Sequence, residues 1–311
     1  MGIGKEIKPV NPDTGKNQNS NILFSSRKPL YYLNDLILPK SIKNKILDIA
    51  CYAENSNLVF KTWGLESTHK YSRKIGINLW GPPGTGKTMA AHAIANYLKR
   101  NILIVNYAEI ESKYVGETPK NICKAFEVAK RDNSILFFDE ADAILSRRVT
   151  NMTHSTDVSV NQTRSVMLML LNDFQDIVIF ATNFIENFDP AFMRRILMHI
   201  KFELPDAECR FLLWEKYIPD LMPNDFNLKY ISEKYDKLSG SDISNAVLSA
   251  AFTAARNNQN IVKQENLEEA IINILESKKA NEKQKISVTT RRVSEDYVKE
   301  QLKISNGDDL K

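Results

Sequence analysis

Between residues 75 and 204 short apolar runs alternate with stretches in which apolar residues return every three or four positions. The runs are Ile75–Trp80, Ile102–Tyr107, Ile135–Phe138, Ile177–Ala181 and Ile200–Leu204, all of strand length. Thr88–Arg100, Pro119–Asp132 and Val158–Phe174 carry the helical period between them. Strands that are apolar on both sides and separated by helices predict a parallel sheet covered on both faces, an α/β fold. Thr118-Pro119 suits a helix start, because Thr caps and Pro fits the first turn. Beyond Pro205 the strand pattern stops and four helical patterns follow, Ala207–Tyr217, Leu228–Tyr235, Asp242–Arg256 and Glu265–Ser277. In the third, Ile243, Ala246, Val247, Ala250 and Ala254 form a single apolar stripe.

Upstream, Ile42, Ile46, Ile49, Ala50 and Ala53 predict a helix over Ser41–Ala53, with order starting near Tyr31. The predicted organisation is a flexible tail over 1–28, an α/β subdomain over 29–205, a small all-helical subdomain over 206–280, and a tail or helix over 281–311.

Composition narrows the possibilities. The 311 residues are 43% hydrophobic and 26% charged, which excludes a wholly disordered or fibrous chain. A net charge of +4 argues against a dedicated nucleic-acid binder. The longest apolar run is the six residues Val166–Leu171, against the ~20 needed to cross a bilayer. No signal peptide opens the chain, and Cys51, Cys123 and Cys209 are scattered and form no CxxC pair. They read as buried thiols of a cytoplasmic protein.

The chemistry gathers in two places. Gly81-Pro82-Pro83-Gly84-Thr85-Gly86-Lys87-Thr88 lies between the first strand and the helix that follows it. This is a phosphate-binding loop. Gly84 and Gly86 let the backbone turn its N–H groups inward, Pro83 and Thr85 complete the cradle, and the helix start adds its dipole. Lys87 supplies positive charge for the β- and γ-phosphates of ATP, and the Thr88 hydroxyl can ligate Mg²⁺. The strand Ile135–Phe138 runs into Asp139 and Glu140, an expensive place for two acids without a cation or a reacting group. Asp139 is expected to hold Mg²⁺ through water and Glu140 to polarise an attacking water, the pleat sending the two side chains apart. An acidic strand end without a catalytic role is the alternative.

GPPGTGKT, FFDEAD (Phe137–Asp142), ATN (Ala181–Asn183) and DPAFMRR (Asp189–Arg195), in this order, resemble the AAA family of ATPases, over a stretch from about Tyr31 to Ser277. The resemblance implies that Asn183 is the sensor that lines up the lytic water. It also implies that Arg194 and Arg195 are fingers projecting into a neighbouring subunit's site, in a homo-oligomeric ring, usually of six. Without that context two adjacent arginines are an ordinary surface pair. The same resemblance implies adenine contacts from Asp35, Leu36, Ile37, Met89, Gly240 and Ser241. It further implies a central-pore loop at Lys113, Tyr114 and Val115 that grips extended polypeptide, and a second pore loop near 146–161. Tyr114 covering a sheet edge is the plainer possibility. Gly240-Ser241-Asp242, in place of the arginine many related branches carry there, is similar to the protein-remodelling branch.

Tyr31–Trp63, Ser112–Asn121, Asn161–Ser165 and Phe180–Ile196 also resemble bacterial single-ring AAA ATPases. Some of these are encoded beside a subtilisin-like serine protease in pairs linked to phage defence. With no GxSxG and only four histidines, any proteolysis here belongs to a partner. The expected function is ATP-driven remodelling or unfolding of a protein client. The alternatives are an ATP switch that controls a partner protease without threading, and a nucleic-acid motor.

Overall fold

The computed structural model describes residues 24–69, 75–110, 117–146, 155–183 and 188–283, with side chains for all of these but 108–109, 155–159 and 282–283. The expected tails therefore fall largely outside the described residues, as do both expected pore loops apart from Ser146 and the helix from Ser155.

Five parallel strands form the sheet: β1 (Ile75–Trp80), β2 (Ile102–Asn106), β3 (Ile135–Asp139), β4 (Ile177–Thr182) and β5 (Met198–Lys201), in the order β2-β3-β4-β1-β5. The helices are α1 (Lys40–Asn57), α2 (Lys87–Tyr97), α3 (Tyr107–Ile110), α4 (Glu117–Arg131), α5 (Asp142–Leu145), α6 (Ser155–Asp173), α7 (Pro190–Met193), α8 (Ala207–Tyr217), α9 (Leu228–Lys234), α10 (Gly240–Arg256) and α11 (Gln264–Lys283). Strand alternation sorts the side chains into two apolar layers. Ile77, Leu79, Phe137 and Ile179 face α1 and α2 through Ile46, Ile49, Ala91 and Ile94. Leu136, Phe138 and Phe180 face α4 and α6 through Ile122, Phe126, Met167 and Leu171. Phe138 stacks on Phe180 with ring centroids 5.5 Å apart. Parallel strands bring their C-terminal ends to one edge, so the segments after β1, β3 and β4 meet there.

Three expectations need correction. The fifth strand is Met198–Lys201, not Ile200–Leu204. Its partner β1 ends at Trp80, opposite Lys201, and only the Phe202 N–H reaches further, to the Trp80 carbonyl at 2.7 Å. Phe202 and Pro205 are buried, so the apolar pattern continued after the pairing had stopped. Order also begins before Tyr31: Arg27 and Ile102 exchange two backbone bonds of 2.9 Å, adding a short antiparallel bridge to β2. Of the three cysteines Cys209 alone is buried, its thiol pushed up to about 12 by burial, whereas Cys51 is exposed and Cys123 half-buried.

The chain forms two compact units. Residues 24–219 with 227–244 hold the sheet, α1 to α9 and the first residues of α10. Here Arg210 of α8, buried, donates to the Ser232 carbonyl at 2.7 and 2.9 Å and to the Pro205 carbonyl at 2.6 Å, tying α9 to the end of the α/β layer. Residues 220–226 with 245–283 hold the rest of α10 and α11. There Val262 N–H reaches the Pro223 carbonyl at 2.9 Å and Gln264 N–H reaches the Asp225 carboxylate at 2.6 Å, setting the start of α11. Among the described residues no helix is long and apolar enough to cross a membrane.

Candidate active site

The loop between β1 and α2 is shaped by its glycines. Gly84 has φ +74° and Gly86 φ +96°, the left-handed region that side chains rarely adopt. At Gly84 a Cβ would also overlap the Ser241 hydroxyl, so the loop and the start of α10 touch because there is no side chain between them. That start is itself fixed by a reciprocal cap. Ser239 donates from its N–H at 2.6 Å and its hydroxyl at 2.5 Å to the Asp242 carboxylate, and the Ser239 hydroxyl accepts from the Asp242 N–H at 3.4 Å.

Lys87 is 8% exposed. Its ammonium group donates to the carbonyls of Gly81 (2.7 Å) and Pro82 (2.9 Å) and to Asn183 Oδ1 (3.1 Å). Burial lowers its pKa, with Asp139 and Asp142 opposing. The contact draws the expected sensor and the expected phosphate lysine together across 96 residues of chain. Asn183 is held in turn from behind: its backbone N–H donates to both Asp142 carboxylate oxygens, at 3.0 and 3.2 Å. This role of Asp142 was not anticipated, although the third acid of FFDEAD was in view.

The Thr88 hydroxyl donates to Asp139 Oδ2 at 3.0 Å, and the other Asp139 oxygen accepts from the Glu140 N–H at 3.0 Å. Glu140 lies one residue past the end of β3, exposed, with φ +52°. Its divergence from Asp139 therefore comes from a left-handed turn and not from the pleat, as expected earlier; such a turn costs a non-glycine residue ~1–2 kcal/mol and is kept where the side chain must point elsewhere.

These groups line one cavity of about 400 Å³ in the larger unit. Asp35, Leu36, Ile37, Pro83, Gly84, Thr85, Gly86, Lys87, Thr88, Met89, Asp139, Glu140, Asn183, Gly240 and Ser241 all border it, so the expected phosphate, metal and adenine residues are brought together. Leu38, Pro39, Pro205, Leu213 and Tyr217 complete an apolar wall that sequence reasoning missed. Lys216, also unanticipated, donates to the Asp35 carbonyl at 2.7 Å. Lys87, Thr88 and the loop N–H groups thus share one cavity with an apolar wall, which fits a nucleotide.

The donor set also fits Mg²⁺. No cluster of three His, Cys, Asp or Glu side chains gathers among the described residues. One carboxylate beside one hydroxyl matches a cation that keeps waters and takes phosphate oxygens from its substrate.

Arg194 and Arg195 do not line this cavity. Asp189 caps α7 by accepting from the Ala191 N–H at 2.7 Å, Pro190 occupies its first turn, and both arginines follow it exposed. They differ in one respect. Arg195 donates to Asn172 Oδ1 and to the Ala191 carbonyl, each at 2.9 Å, whereas the Arg194 guanidinium has no partner among the described residues. Lys113, Tyr114 and Val115 lie outside the described residues.

Known proteins resemble this chain in sequence. Residues 77–204 match the ATPase family associated with various cellular activities (AAA), and residues 225–269 match the AAA+ lid domain. The proteasome-activating nucleotidase of Saccharolobus solfataricus is 36% identical over 220 residues, covering 68% of this chain and 56% of the relative. That of Methanopyrus kandleri is 33% identical over 211 residues, covering 65% of this chain and 48% of the relative. The chain thus spans about half the length of these relatives.

Proposed function

This chain belongs to the AAA ATPases, and from that premise we propose that it works as a homo-oligomeric ring, of six copies by likeness to its family, that uses ATP to remodel or unfold a protein client and to control a partner protease. The observation that carries the reading is the division of charge. Lys87, Thr88, Asp139, Glu140 and Asn183 line one cavity, while Arg194, without a partner among the described residues, stands outside it, available to another copy's cavity.

Each residue has work that follows from its position. The inward N–H groups of the loop bind the phosphates, and Lys87 exchanges neutral carbonyls for charged oxygens, a gain because charge-assisted bonds are roughly twice as strong. Thr88 and Asp139 would hold Mg²⁺, which when bound neutralises charge on the β- and γ-phosphates. Glu140 polarises the attacking water, and Asn183, anchored by Asp142, orients it. Arg194 from the adjoining copy stabilises charge on the transferred phosphoryl oxygens, typically ~10³–10⁵ in rate. The apolar wall around Leu36, Pro205 and Tyr217 takes the base.

Control of a protease is taken from the relatives, which are proteasome-activating nucleotidases. A subtilisin-like partner and a place in phage defence, implied by the narrower resemblance, have no counterpart in those names. Tyr114→Ala tests how the ring acts on its client. If the loop grips polypeptide, unfolding of a tagged client collapses while ATP turnover persists. If both persist, the ring is a switch and does not thread.

A further inference from the structure

In sequence, residues 184–187 separate Asn183 of the cavity from Phe188 and Asp189, and they lie outside the described residues. A second route joins the two ends. It is α5, four residues long. At its start the Asp142 carboxylate holds the Asn183 N–H at 3.0 and 3.2 Å, and the neighbouring Ala141 N–H reaches the Ala181 carbonyl of β4 at 2.9 Å. At its end the Leu145 carbonyl accepts from the Asp189 N–H at 2.8 Å, and Ser146 forms an antiparallel bridge with Phe188. Asp189 in turn caps α7, and Arg194 follows α7 directly. Hydrogen bonds at both ends of α5 thus connect Asn183 to the base of the turn that bears Arg194.

A single helical turn is weak by itself, since nucleation costs more than so short a helix returns. α5 is braced from outside. Arg164 of α6 is 2% exposed, and one guanidinium nitrogen donates to both the Ala143 carbonyl at 3.2 Å and the Ser146 hydroxyl at 2.5 Å. Its other terminal nitrogen donates to Asn161 Oδ1 at 3.2 Å. The Ser146 hydroxyl donates to the same Ala143 carbonyl at 3.2 Å, so three polar groups close the end of α5. Burying a guanidinium costs several kcal/mol before its bonds return anything, a cost that an apolar contact between α5 and α6 would avoid. What the planar donor adds is direction: its hydrogen bonds hold α5 at one register on α6.

We propose that Arg164 is a positioning residue, a clamp on the end of α5 that fixes the turn bearing Arg194 and so sets where that guanidinium is presented to an adjoining copy. The proposal rests on the reading of Arg194 as a finger acting between copies. Asp142 and β4 hold Asn183 from the opposite end of α5, so loosening the clamp is felt at the arginine turn and spares the cavity of the same chain.

Arg164→Met keeps an unbranched side chain and removes the clamp. The variant is expected to assemble normally and to bind a fluorescent ATP analogue within about threefold of the parent, while turnover falls at least about tenfold, because small misplacements of a reacting group have effects of that order or larger. Its behaviour in mixed assemblies locates the defect. With Lys87→Ala chains, which have an intact arginine turn but no working cradle, Arg164→Met chains should regain turnover. With Arg194→Ala chains, whose cradle is intact, they should not, since neither chain presents a well-placed guanidinium. Full turnover by Arg164→Met alone overturns the proposal, and so does ATP binding that weakens in step with turnover, the mark of a merely structural role. Arg194→Ala mixed with Lys87→Ala is the control. If that pair recovers and Arg164→Met with Lys87→Ala does not, or if Arg164→Met recovers with Arg194→Ala, the clamp is refuted while the shared site stands. If the control pair fails, the shared site falls and the clamp with it. Should Arg164→Met not fold, Ser146→Ala removes the clamped hydroxyl, leaves Arg164 in place and is read in the same mixtures. It is expected to lose turnover at least about threefold and to be repaired by Lys87→Ala chains alone; unchanged turnover overturns the proposal.

Discussion

For the proposed nucleotide site to work, Lys87 has to let go of its own loop before it holds a phosphate. Its three oxygen partners are all neutral, and its pKa is lowered by burial against the pull of Asp139 and Asp142, so a charged ligand oxygen improves its surroundings at every contact. Lys87→Met is expected to weaken ATP binding at least about a hundredfold in calorimetric titration. Binding within tenfold of the parent would mean that the backbone cradle suffices. The two arginines separate at the same scale. Arg195 is occupied with Asn172 and the Ala191 carbonyl, while Arg194 is unpaired among the described residues. Arg194→Ala is therefore expected to lower turnover by about 10³ or more with binding intact. Arg195→Ala should have the smaller effect; the reverse order in steady-state rates would exchange their roles.

At the scale of elements, single buried side chains hold whole segments in place. Arg210 satisfies the carbonyls of Ser232 and Pro205, which lose that donor if it is shortened. Arg210→Met is expected to cost about 2–4 kcal/mol, read from the urea midpoint; a loss under about 1 kcal/mol would show that water takes over those carbonyls. His92 of α2 is 2% exposed, accepts from the Leu30 N–H at 3.2 Å, and has its pKa lowered by burial and by Arg27, against Asp139. The unfolded chain takes up that proton near the ordinary 6.5, the folded chain only at lower pH. Stability from this group is therefore intact above about 6.5 and is lost as the pH falls below it. His92→Phe should flatten the urea midpoint between pH 7 and 5, about the ordinary histidine range, and an unchanged slope would assign the dependence elsewhere.

Elements of this kind also mark what could be read in advance. The phosphate loop was legible because its chemistry needs consecutive residues between a strand and a helix, and β1, β3 and β4 because apolar runs end where the sheet ends. The tie from Asp142 to the Asn183 backbone was not, since it joins a side chain to a main-chain group 41 residues away. Nor was the apolar wall of the cavity, assembled from Leu38, Pro205, Leu213 and Tyr217, each an ordinary core residue until the fold brings them together. The end of β5 escaped for a different reason: burial continued past the last residue of its partner, and hydropathy registers burial but not pairing.

At the scale of the molecule, the proposed function asks for one group that the cavity lacks, a positive charge on the far side of the γ-phosphate. On that reading Arg194, which follows α7 outside the cavity, supplies the charge to an adjoining copy. An arrangement of this kind turns over ATP between copies and couples each cleavage to the neighbour, which suits a ring that works on a client in steps. ATP turnover per chain, followed by phosphate release across a dilution series with the assembly state read by sedimentation in parallel, tests this most directly. Turnover is expected to rise steeply as copies associate and to fall towards zero in the separated chain. A separated chain that hydrolyses ATP at the full rate would contradict it.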